Sequence, residues 1–305
     1  MGGLVYWDEW VLYCDENIEA TLLRLNEPSK NPSYRPQYVF QLARENWEQV
    51  FRRYSRGDAI SELSGCFPAL LDAWEESERL GAEIWTQEQQ YTRHAWVVNF
   101  DHYIICFWLV GLALALEIPD EQWNRLLALI GNEGEDVLLD RIIATRTPSR
   151  KVGTELCYRK PYARLLAAID APPAKQAESL KAFVTHWYKE LGTGARSCRA
   201  KQTVPYSHPY WYKYGDTNFE GGAYFGRWCV EAVAAVKAFS LDDRLCLGHE
   251  HYPGDLLRPN GPSTHPVRAD IAPTIETPNN SAVTEKKHWL SRLFRRLLGV
   301  CLMTV

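Results

Sequence analysis

The chain has 305 residues, 46% of them apolar and 24% charged. That is enough for a sizeable core in one large domain or two smaller ones, and it excludes disorder as the general state. The net charge of −4 is uneven: residues 285–305 hold five Lys/Arg against one Glu, net +4, leaving −8 on residues 1–284. An acidic body lacks the basic stripe of a general nucleic-acid binder and suits a basic partner.

A first helix is expected over Tyr6–Leu25. Phe40, Ala43, Trp47, Val50, Phe51 and Tyr54 then recur at helical spacing, so residues 34–54 read as an amphipathic helix. Gly57 suits the left-handed position after its end, and Asp58 suits an N-cap. Ile60, Leu63, Phe67, Leu70, Leu71 and Trp74 form the face of a second helix ending near Gly81, and the pair makes a helical hairpin. The polar stretch Thr86–Arg93 reads as a connection.

Tyr103–Ile118 is a stretch of 16 residues, apolar except for Glu117, with Asp101 before it and Pro119-Asp120 after it. A membrane span needs about 20 such residues, so this is expected to be a central buried helix, about His94–Leu116. His94, Asn99, Asp101 and His102 at its polar start read as polar anchors of the core. Helices follow at Glu121–Ile130 (capped by Asp120), Glu135–Ala144, Lys160–Ile169 and Ala174–Leu191. Gly192–Thr217 is a long aromatic and basic connection, of a length usually reserved for function or mobility. Asn218–Phe239 reads as helix, with small residues that allow close packing. Asp242-Asp243 opens a turn and His249–Asp255 a loop.

Residues 259–284, rich in Pro, Asn, Thr and Ser, read as a disordered linker. Residues 285–305 read as a basic amphipathic helix, either folded back on the acidic body or presented to a partner or membrane surface. The eight cysteines are scattered without a CxxC pair, as befits buried thiols in a reducing cytosol. The start, MGGLVYWDEW, is not a secretory signal.

No motif for chemistry stands out. GTGARS at Gly192 lacks the lysine ending of a phosphate loop, and there is no GxSxG elbow. Cys246, His249, His251 and Asp255 could meet at zinc, but their spacing matches no compact site. An enzyme reading would gather His208, Asp216, Glu220, His249 and His251. Paired carboxylates on helices are usually solvated faces.

The order of short elements carries a resemblance. Phe183-Val-Thr-His-Trp187-Tyr188 is followed by His208-Pro-Tyr210, Tyr214-Gly215 and Gly222-Ala-Tyr224-Phe-Gly226-Arg-Trp228-Cys-Val-Glu231-Ala232. Leu241-Asp242-Asp243 and His251-Tyr252-Pro253-Gly254-Asp255-Leu256 come next, and Arg53-Tyr54-Ser55-Arg56-Gly57-Asp58 stands in the first half. This order resembles the PoNi-type immunity proteins of bacterial polymorphic toxin systems, over about residues 35–258. Tyr224-Phe225 stands where that family often has Tyr-Trp.

The resemblance implies a helical cytoplasmic protein that binds a cognate nuclease toxin, often delivered by type VI secretion, and keeps it from DNA. The expectation is therefore an all-α multi-helix bundle: an N-terminal helical hairpin domain (1–90) packed on a larger helical domain (91–258). It is expected to be no enzyme, to need no cofactor and to make no direct contact with nucleic acid. Homodimers are allowed, and membrane contact only through 285–305. The expected toxin-binding groups are the acids Asp72, Glu75, Glu76, Glu78 and Glu83, and the loop residues Tyr206, His208, Tyr210, Trp211, Tyr214, Asp216 and Glu220. The competing readings are a helical scaffold, a membrane-associated adaptor and a metal-dependent helical enzyme.

Overall fold

A computed structural model describes residues 3–194, 196, 207–216 and 223–266. Among them every regular element is an α-helix or a short 3-10 turn. In chain order the helices are α1 (Leu4–Leu25), α2 (Arg35–Arg56), α3 (Ile60–Leu63), α4 (Phe67–Ala82), α5 (Gln87–His94), α6 (Phe100–Ala115), α7 (Asp120–Ile130), α8 (Val137–Ala144), α9 (Arg159–Asp170), α10 (Pro173–Leu191) and α11 (Val230–Phe239). The fold is an all-α multi-helix bundle. No helix among the described residues is long and apolar enough to cross a membrane.

The centre is α6, in which every residue except Asp101 is buried. A helix apolar all round needs neighbours on all sides. α11 lies along it so closely that a Cβ on Gly111 would come 2.7 Å from Val230 Cγ1. Phe51 of α2 meets Trp108 at 5.0 Å between ring centroids. Tyr103 and Phe107 pack on Tyr162 of α9. α2 pairs with α4 on one side and α1 on the other, and α9 pairs with α10. α1 runs antiparallel to α2, with Cys14 Sγ on the Glu45 carbonyl and Gln49 Nε2 donating to the Val11 carbonyl.

The α2 terminus follows expectation: Gly57 sits at φ 101° and its N–H bonds the Arg53 and Tyr54 carbonyls. Asp58 does not cap the next helix. Arg53 and Arg56 hold its carboxylate instead, and α3 starts without a side-chain cap. Two further readings are corrected. Residues 87–94 form α5 rather than a connection, started by a capping box in which Thr86 and Gln89 bond each other's backbone N–H. Of the helix expected over 218–239, Val230–Phe239 is helical, while residues 218–222 lie outside the described residues. Residues 223–229 carry no regular structure, and Gly226 at φ 103° breaks the helical run. Residues 259–266 continue as turns, where Thr264 N–H bonds Asp255 and His265 Nε2 lies 3.1 Å from Tyr54 Oη. The basic 285–305 segment lies outside the described residues.

Candidate functional site

The acids of α4 reach the surface because its apolar stripe (Phe67, Leu70, Leu71, Trp74) turns the other side outward. They are not free charges. Arg125 of α7 donates from Nε and Nη2 to both oxygens of Glu75, at 2.8 and 2.7 Å, and to Asp72 at 2.6 Å. Arg79 chelates Glu76 at 2.7 and 2.8 Å. Glu78 accepts from Trp74 Nε1 and lies 3.0 Å from His94 Nε2. Glu83 is exposed. Beside this face an open cleft of about 580 Å³ is lined by Glu78, Tyr91, His94, Leu129, Glu133 and Glu135.

The expected aromatic loop faces both ways. Trp211 is 2% exposed, packed against Trp108, Trp187 and Phe225. The expectation of an exposed Trp211 anchor is thus corrected: its indole completes the core. Tyr210 is half-buried and engaged at three points. Its N–H donates to Asp101 at 3.0 Å, its hydroxyl to Glu48 at 2.9 Å, and the Arg44 guanidinium lies 4.2 Å over its ring. The Tyr214 carbonyl and the Asp216 carboxylate take Arg227. His208, Lys213 and Asp216 are exposed. Tyr206 and Glu220 lie outside the described residues.

Several ionisable groups are buried. Burial pushes the Glu48 carboxyl up, but Arg44 and Arg52, with hydrogen bonds from Arg44 and Tyr210, outweigh it and hold it below the usual range. Burial raises Asp101 to about 7 and Glu231 to about 7, and lowers His102 to about 3. Glu231 Oε1 accepts from Tyr162 Oη at 3.0 Å and Trp187 Nε1 at 3.2 Å. Asp140 accepts from Arg150 Nε at 2.8 Å and from the Gly134, Asp136 and Gly153 N–H groups. Such groups can be catalytic when a cleft reaches them. Glu231, Asp140 and His102 line neither the α4–α5 cleft nor the shallower one at Leu114 and Lys237, and their partners make them struts of the core.

The Cys246–Asp255 stretch is likewise engaged locally. Cys246 is buried, and His251 Nδ1 bonds the Arg227 carbonyl at 3.1 Å. Asp255 takes Ser263 and Thr264. Among the described residues no three His, Cys, Asp or Glu side chains come together to share a metal ion.

The architecture defines an all-α class that recurs in a solved structure. Protein PA2201 from Pseudomonas aeruginosa is 18% identical, covers 83% of this chain and 86% of its own, and superposes with a TM-score of 0.56. This likeness shows the fold. No curated protein matches. The profile of PoNe immunity proteins (PoNi), N-terminal, matches residues 4–128, and that of PoNe immunity proteins (PoNi), C-terminal, matches residues 134–256. The chain therefore belongs to the PoNi family of PoNe immunity proteins. The matched region includes α1, ahead of the residues that carry the resemblance in the sequence.

Proposed function

We propose that this protein binds a cognate nuclease toxin in the cytoplasm and prevents it from cutting DNA, protecting the cell that makes it and its kin from an effector delivered by type VI secretion. The match of both family profiles across the chain carries this reading. The charge supports it: a nuclease must present a basic surface to the phosphate backbone, and residues 1–284 carry −8. Inhibition by binding asks for surface chemistry, not for a catalytic cleft. Within the expected contacts, Glu83, His208 and Asp216 are exposed. Asp72, Glu75 and Glu76 enter as members of arginine pairs that still present carboxylate oxygen.

The test is co-expression in bacteria with the toxin encoded beside this gene, followed by co-purification and a plasmid-integrity assay. Restored growth, a stable complex and intact plasmid are expected. Undiminished toxicity in the presence of ample soluble protein, with no complex, would overturn the reading.

A further inference from the structure

Among the described residues one helix face is left uncovered. α1 buries Trp7, Trp10, Val11 and Cys14 against the body. Its opposite side shows Leu4 (50% exposed), Val5 (79%), Leu12 (61%), Leu22 (51%) and Leu23 (70%). Asp8, Glu9, Asp15, Glu16 and Glu19 are exposed among them. At 3.6 residues per turn all ten fall within roughly 140° of arc. Single exposed leucines need no explanation, whereas a run along one helix does. Asp8 lies near Arg56, and Asp15 accepts from Gln49. No such neighbour meets Glu9, Glu16 or Glu19 among the described contacts.

The pattern of apolar and acidic residues selects the occupant. A symmetric contact between two copies sets the same patch against itself. Here that would bring the acidic middle of α1 onto its twin, with no basic residue between Leu4 and Leu23 to separate them. An anionic lipid surface is repelled for the same reason. A basic protein surface with apolar side chains between its Lys and Arg groups satisfies both features: burial for the leucines and opposite charge for the glutamates.

We infer that the outward face of α1 is the docking surface for the basic, partly apolar surface of the partner protein. This rests on the immunity reading, with the nuclease as that partner. The aliphatic residues at both ends and Leu12 in the middle supply the apolar burial, and the carboxylates between them speed and orient the encounter.

The experiment measures binding of the full chain to the neighbouring toxin's nuclease domain by calorimetry and stopped flow. Three variants are compared: E9K/E16K/E19K, L12A/L23A and a charge-matched control, E121K/E155K/E178K, on other faces. Circular dichroism checks the helix content of each. The α1 charge reversal is expected to weaken binding by at least 100-fold and L12A/L23A by at least 10-fold, with the control within 3-fold of the parent. Should the charge reversal misfold, E9Q/E16Q/E19Q replaces it, with an expected slowing of association of at least 5-fold. Parent-like affinity of the folded α1 variants, alongside a tight parent complex, would overturn the α1 assignment and leave the immunity reading intact. A parent chain that does not bind would overturn that reading and the assignment with it. Self-association of the parent that is lost in L12A/L23A, while toxin binding is kept, would give the face to a second copy and overturn the assignment. An effect of the α1 variants that vanishes when residues 285–305 are deleted would also overturn it, in favour of the chain's own basic segment.

Discussion

Glu231 shares its pocket with a phenol and an indole that both donate to one of its oxygens. Burial raises its pKa to about 7 from an ordinary 4.5. The folded chain therefore keeps this proton while the unfolded chain loses it as pH climbs through 4.5. Stability falls across pH 4.5–7 as a result, by roughly 3 kcal/mol for this group alone. Urea titrations from pH 4 to 8 should show that Glu231→Gln removes its share of the slope in this window, leaving the contribution of Asp101, which is raised from 3.8 to about 7, and of the other raised carboxyls. Arg150 poses the opposite case. It holds Asp140 and the Gly131 carbonyl in the interior, so Arg150→Ala strands a carboxylate that three backbone N–H groups only partly satisfy. A loss of roughly 3–5 kcal/mol in urea unfolding at pH 7 is expected. D140N/R150A should recover part of it, because the stranded charge is then gone.

At the scale of the element, the α6–α11 contact depends on Gly111. A Cβ there meets Val230 Cγ1 at 2.7 Å and Ala234 Cβ at 3.1 Å. Gly111→Val should push the two helices apart and cost roughly 1–3 kcal/mol, more than any gain in helix propensity. A thermal melt that does not move downward by several degrees would refute this tight approach. Helices with an apolar stripe were legible in the sequence: α2, α4, α6, α7 and α10 lie close to where periodicity put them. α5 was missed because it buries no residue. Its signal lay in the chemistry of Thr86 and Gln89 rather than in hydropathy. Within the helix expected over 218–239, residues 223–229 are not helical because Gly226 takes a left-handed φ and the alanine-rich run that favours a helix begins only after Val230.

The candidate site was legible only in outline. The acidic face of α4 is where it was expected, but the arginine that occupies Asp72 and Glu75 comes from about 50 residues away. No spacing rule links them. Trp211 looked like surface because its neighbours Tyr210, Tyr212 and Tyr214 are polar-tipped, and only the tertiary fold shows its indole between Trp108 and Trp187. The outward face of α1 was visible all along in the alternation of Leu and Glu.

For the molecule as a whole, the proposed encounter with a basic partner predicts a dependence on salt. If the body meets a basic surface, association should slow about 10-fold between roughly 50 and 500 mM salt while dissociation changes little. Stopped-flow mixing at several ionic strengths checks this, and a rate indifferent to salt would remove the electrostatic part of the proposal. The two profile-matched segments, 4–128 and 134–256, share a core. Aromatic residues from both meet around Trp108, where Phe51 and Phe225 close from opposite ends of the sequence.

The burial of α6 sets a schedule for synthesis. Its covering helix α11 begins some 115 residues after α6 ends. At translation rates of about 5–20 residues per second, the side of α6 that faces α11 stays uncovered for roughly 6–23 s. During that interval the nascent chain presents apolar surface, and the finished fold lags the start of translation by at least that long. Under the proposed immunity role, a cell that meets the toxin would therefore depend on its stock of finished protein and not on the molecules it has just begun to make.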